Sequence, residues 1–196
     1  MKSKHLLFIL IICLILPFFS TNEARSQWAI MYQDADSLVL LGSNLIYNTE
    51  FEKAEQIFKE VQKRYPNHPA GYFLDAMIEW WKINLYPDDE SKDAKFLKKI
   101  DQVIKKCDYI LDSLPTDINA LFFKGGAIGY RARLYTLRNN WLNAARDAQV
   151  ALDILTQCQI KAPTNHDIML GTGIYNYFSQ KFAEDYPIIK PLMVFA

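Results

Sequence analysis

The sequence predicts an all-α protein built as a stack of antiparallel helix pairs. Apolar residues recur at three-and-four spacing from about residue 28 to 184, and no alternating run is long enough for a strand. Pro66, Pro115 and Pro163 end helical stretches at intervals of 49 and 48 residues, a spacing that marks a repeated helical unit. Composition agrees with a packed domain, because 51% of the 196 residues are hydrophobic and 14% aromatic. Lys+Arg and Asp+Glu both number 22, so no basic surplus points to nucleic acid as a partner.

The chain opens with Lys2, Lys4 and His5, an apolar run over 6–19, and the small-residue stretch Ala24-Arg25-Ser26. That order predicts a secretory signal peptide over 1–26, cleaved after Ser26, and an exported protein of the periplasm or outer membrane. The run is too short for a permanent span, and no transmembrane segment is expected after cleavage. Ile12 precedes Cys13 where a lipoprotein signal would place a small residue, so lipidation is not expected. Export leaves Cys107 and Cys158 either as two buried apolar side chains on helices or as a disulfide permitted by an oxidising compartment.

Seven helices follow from the period and its punctuation: 28–48, 51–65, 70–86, 92–114, 117–138, 141–162 and 165–184. Thr49 with Glu52 reads as a capping box opening the second helix, and Thr164 with Asp167 as a weaker one opening the seventh. Asp88, Asp89, Glu90 and Asp93 form a solvated turn and helix start, where negative charge suits the macrodipole. Gly42, Gly125, Gly126, Gly129, Gly171 and Gly173 all fall inside the first helix of a proposed pair. Each costs about 1 kcal/mol relative to alanine there, so close approach of a neighbouring helix is expected to offset it. Gly125 to Gly129 lacks the strand and lysine of a phosphate-cradling loop, which argues against a nucleotide.

Between residues 35 and 68 the spacing is specific. Leu38, Leu41-Gly42 and Leu45 lie in one helix, Ala54 and Phe58 in the next, and Pro66 in the closing turn. This segment resembles the tetratricopeptide repeat, with leucine in place of the family's leading aromatic and tyrosine. The pattern recurs more faintly in Tyr72, Ala76, Val103, Cys107 and Pro115, then in Leu121, Gly125, Ile128, Ala151, Leu155 and Pro163, and again in Leu170-Gly171 and Ile174. In the middle units the small residues of the paired helices stand about 27 residues apart, against 12 in the first unit, and about 14 extra residues should lengthen both helices. The resemblance, closest to exported repeat proteins of bacterial cell envelopes, implies a right-handed superhelical solenoid acting as a docking surface, with Gly42 packed on Ala54. It also implies that 27–196 is the front part of a longer solenoid, because such stacks end in a polar capping helix.

In that arrangement the first helices line the inner surface. The family's groove-facing spacing then falls on Tyr47, Phe73, Met77, Trp80, Trp81, Phe122, Tyr130 and Tyr175, with Arg131 and Arg133 as polar complements for a carboxylate. Core packing is the competing role for each aromatic residue. Trp80 and Trp81 lie about 100 degrees apart on a helix, so one of them should be more exposed than the other. The expected function is a scaffold that holds a peptide or helix of a cell-envelope protein partner in the groove. The alternative is an outer-membrane or periplasmic protein binding carbohydrate or another small ligand through exposed aromatic rings. No catalytic constellation, metal site or cofactor is expected, since His68 and His166 lack ligand spacing and neither cysteine has a sequence-local base.

Overall fold

The computed structural model describes residues 33–185, with side-chain surroundings for 34–177; the signal-peptide segment lies outside the described residues. Among the described residues the fold is all-helical: α1 Gln33–Tyr47, α2 Phe51–Arg64, α3 Ala70–Leu85, α4 Asp93–Ser113, α5 Ile118–Leu137, α6 Trp141–Lys161 and α7 His166–Asp185, with a 3-10 turn Glu90–Lys92 before α4. Each helix packs on its sequence neighbours, and the odd helices also touch, α1 on α3 and α3 on α5. The expected segments match these bounds to within one residue from α2 onward. Their apolar stripes meet in three buried clusters. Ile46, Ala54, Phe58 and Ile78 join α1, α2 and α3, and Leu121, Ile128, Ala151, Ile154, Cys158 and Ile168 join α5, α6 and α7. The third cluster, with Val61, Trp80, Phe96, Val103, Cys107 and Phe123, runs through the middle of the stack.

Four helix ends share one local design. Tyr65, Tyr86, Leu114 and Ala162 each precede a proline and sit near φ −130° and ψ 70°, outside the helical region that proline denies its predecessor. The residue two after each proline then donates its amide back across the turn: His68 to Tyr65, Asp89 to Tyr86, Asp117 to Leu114 and Asn165 to Ala162, at 3.0–3.1 Å. The same residue turns its side chain to an amide of the next element. Asp89 accepts from Ser91, Asp117 from Ala120, and Asn165 from both Asp167 and Ile168. Pro87 thus belongs with Pro66, Pro115 and Pro163, although its spacing breaks their interval.

The other two corners differ. At the end of α1, Thr49 takes φ 62°, its amide bonds to Ile46, and the Glu50 amide reaches back to Leu45. At the end of α5, Asn139 takes φ 56° with the matching pair of bonds to Thr136 and Tyr135. This is a Schellman closure, a position that normally takes glycine. The expected capping box of Thr49 with Glu52 is therefore corrected: Thr49 finishes α1, and Glu50 precedes α2 without a side-chain cap. Likewise Asn165, rather than Thr164, caps α7, because its amide oxygen reaches two helix amides.

Three further expectations are revised. The atoms nearest Gly42 belong to the Phe58 ring, three of them within 3.0 Å of where a Cβ would stand, so Phe58 rather than Ala54 fills that notch. Helix lengthening is uneven: α5 and α6 have 20 and 21 residues and α4 has 21, but α3 has only 16, and its unit places residues in the loop before α4. Asp93 does stand in the first turn of α4, as expected, but instead of being solvated it receives Arg138 through two bonds of 2.6 and 2.9 Å, while Arg138 also donates to the Pro87 carbonyl. Close glycine packing holds at Gly125, against Leu155 and Ile154, whereas a Cβ at Gly126, Gly129 or Gly171 would meet only ordinary contacts and nothing lies within 4 Å of one at Gly173.

Candidate binding face

The odd helices carry the aromatic residues that the spacing singled out, and those of α3 and α5 assemble into a lattice of rings. Phe73 of α3 meets Phe123 and Tyr130 of α5 at centroid distances of 5.6 and 5.8 Å, and Trp80 meets Tyr130 at 5.3 Å, all tilted or edge to face. Phe122 continues the lattice through Phe123 at 5.4 Å, and Trp80 closes it against Phe96 of α4. Gly126 lies on this seam, where a Cβ would meet the Phe73 ring at an ordinary contact distance of 3.5 Å. Edge-to-face contacts of this kind contribute about 0.5–1.5 kcal/mol each beyond their burial.

Within the lattice the expected residues separate by exposure. Met77 and Trp80 are buried, Phe73, Phe122, Tyr130 and Tyr175 are half-buried, and Tyr47, Trp81 and Arg133 reach the surface. The neighbouring tryptophans divide as the helix period requires, Trp80 at 6% exposure and Trp81 at 39%. Tyr47 is 68% exposed, and its ring stands edge to face with Trp81 at 5.5 Å, linking the end of α1 to α3. Arg133 lies over the Trp80 ring at 5.2 Å, so its charge sits at the solvent edge of the lattice. Burial raises the phenols of Tyr130 and Tyr175 above their ordinary value, and both remain neutral.

Arg131 is corrected as a ligand-binding complement. Its guanidinium is occupied by Asp147 of α6 at 2.6 Å and Asp101 of α4 at 3.2 Å, and Asp147 is almost fully buried. An internal pair of this kind fixes three helices in register, and removing one partner would strand a buried charge.

On the opposite side, α2 and α4 flank α3 and enclose a shallow cleft of about 550 Å³ lined by Gln62, Tyr72, Asp75, Gln102, Lys105, Lys106 and Tyr109. Polar ties bound it: Lys99 holds Asp75 and Glu79, and Lys106 donates to the Pro66 carbonyl while covering the Tyr72 ring. Glu79 is 1% exposed, and Lys95 and Lys99 share one of its oxygens. Burial works against its charge, but the Lys95 hydrogen bond and the surrounding lysines hold its pKa below the usual value. The sequence signal for this pairing was Asp75/Glu79 facing Lys95/Lys99, two four-residue steps on consecutive helices. None of the expected face residues lines the cleft.

Cys107 and Cys158 are free, buried in different clusters, and pushed up to about 12 and about 11 by burial, so both thiols stay protonated. Among the described residues no group of three or more His, Cys, Asp or Glu could hold a metal ion, and no helix is long and apolar enough to cross a membrane. Compared with family models, curated proteins and solved structures, the chain matches none.

Proposed function

We propose that this chain is an exported scaffold, a superhelical stack of tetratricopeptide-like helix pairs that holds a peptide segment or helix of a cell-envelope partner against its odd-helix face. The observation that carries the reading is the Tyr47–Trp81 pair, two large rings at the surface that join α1 to α3 and lie beside the lattice ending at Arg133. Aromatic and arginine side chains are those that most often dominate binding energy, and a rigid lattice beneath them lowers the entropy lost on docking. Packing of consecutive helices, with contacts between α1 and α3 and between α3 and α5, supports a stack that sets these residues along one face.

Site-specific photo-crosslinking in the envelope tests the reading, with the crosslinker at position 81 and, as a control, at Tyr109 on the other side. A discrete adduct from 81 that is lost in Tyr47→Ala and diminished in Arg133→Ala, with unfolding midpoints unchanged, supports a protein partner. Quenching of Trp81 fluorescence by oligosaccharide with no protein adduct would replace it with a carbohydrate ligand. N-terminal sequencing of the exported protein should begin at Gln27.

A further inference from the structure

The four proline turns cap the element that follows them with a side-chain acceptor, and three of the four use Asp or Asn. The fourth uses histidine. The Ala70 amide donates to His68 Nδ1 at 3.2 Å across Pro69, the N-cap residue of α3, which already holds helical dihedrals (φ −71°, ψ −20°), so His68 satisfies a helix-start amide from just outside the helix. Only a neutral imidazole with its proton on Nε2 can accept that bond. Once protonated, Nδ1 would turn a donor toward a donor and set a positive charge at the start of a helix, where the macrodipole opposes it.

The ring also belongs to the packing. It stands edge to face with Phe123 of α5 at 5.7 Å, and Phe123 in turn contacts Phe73 at 5.6 Å, so the cap of α3 and the α3/α5 seam share a side chain. We propose that His68 is an acid-sensitive latch, holding the α2–α3 turn on the α3/α5 seam while its imidazole is neutral and releasing it on protonation.

The groups around it are few and placed on every neighbouring element. Asp117 of the α4–α5 turn favours the charged ring, although its carboxylate already accepts the Ala120 amide. Lys106 of α4 and the Tyr72 hydroxyl of α3 both donate to the Pro66 carbonyl in the same turn, and the Tyr65 hydroxyl is drawn away to Asp34 of α1. Burial outweighs Asp117 and lowers His68 below the ordinary 6.5. Protons can still arrive, since His68 and Asp117 line an open concavity of about 420 Å³.

The sign is set by that depression. The latch is whole above the unfolded-state value of 6.5, and stability falls as pH drops below it, because the unfolded chain takes the proton first. Urea unfolding of the mature chain between pH 8 and 5 tests this, together with an NMR titration of His68. We expect the unfolding constant of the wild type to rise by up to about tenfold per pH unit below 6.5, and His68 to titrate below 6.5. His68→Asn keeps an acceptor in the same turn, as Asn165 does in its own, and should remove that acid dependence without unfolding the protein. An unchanged acid dependence in His68→Asn, or a wild-type His68 that titrates at or above 6.5, overturns the latch. These readouts stand apart from the proposed partner; whether acid also weakens docking depends on that reading and is scored separately, by the position-81 crosslink at pH 5.5 and 7.5.

Discussion

The pairs α1–α2 and α5–α6 solve one problem at two levels of tolerance. Both put glycine in the odd helix, both close the corner with a left-handed residue, and both bury an alanine of the even helix, Ala54 in one and Ala151 in the other. In the shorter pair the clearance is concentrated at one point, where Gly42 lies directly under the buried Phe58 ring. In the longer pair it is spread along the helix, with Leu155 and Ile154 at 3.1–3.2 Å from a Cβ at Gly125 and Ala151 at 3.7 Å from one at Gly129. The corners differ in the same sense. Asn139 occupies a conformation that asparagine accepts, whereas Thr49 holds a β-branched side chain in one that its type avoids. Corresponding positions in the two helix pairs therefore need not be equally strained or equally mutable.

That contrast can be broken most sharply at Phe58. Phe58→Ala should cost about 3–5 kcal/mol in urea unfolding, since the fully buried ring fills the notch at Gly42. Gly42→Leu should cost about 1–3 kcal/mol by overpacking, and the cost should shrink in the Phe58→Ala background. Equal costs in the two backgrounds would separate Gly42 from Phe58 and dissolve the comparison.

The corners give the next effect. Thr49→Gly should stabilise by about 0.5–1 kcal/mol, because relief of left-handed strain worth about 1–2 kcal/mol exceeds the added chain entropy of glycine. Asn139→Gly should gain less, and a larger gain at Asn139 than at Thr49 would reverse the ranking of the corners. An effect of comparable size lies at Gly129, where a methyl group meets ordinary contact distances. Gly129→Ala should raise stability by up to about 1 kcal/mol through helix propensity, measured as a higher denaturation midpoint. A loss there would mean that α5 and α6 pack as tightly as α1 and α2.

Helix number and bounds were legible because each depends on local signals: a 3.6-residue apolar period and a proline at four of the ends. Left-handed closure by Thr49 was not, since nothing in Asn-Thr-Glu distinguishes a helix stop from a helix start. One residue of ambiguity likewise hid Asn165 behind Thr164. On the candidate face, the division of Trp80 from Trp81 followed from helix geometry alone. Arg131 could not be read the same way, because its partners Asp101 and Asp147 lie 30 and 16 residues away and only packing brings them together. The histidine cap was visible as a residue two after Pro66, but its equivalence to Asp89, Asp117 and Asn165 needed the turn geometry.

The clasp of Arg138 on Asp93 and on the Pro87 carbonyl reaches back 45 and 51 residues, from the end of α5 to the turn before α4, in a fold whose helices pack mostly on their sequence neighbours. A chain with mainly local contacts reaches its folding barrier quickly, by zipping helix against helix, and a tie across that distance has to wait for α5 to finish. Arg138 is then a late arrival, absent when the barrier is crossed and present when it must be climbed from the native side. Its loss should leave the folding limb of a chevron nearly unmoved and raise the unfolding rate: the clasp governs how long the molecule lasts rather than how fast it forms.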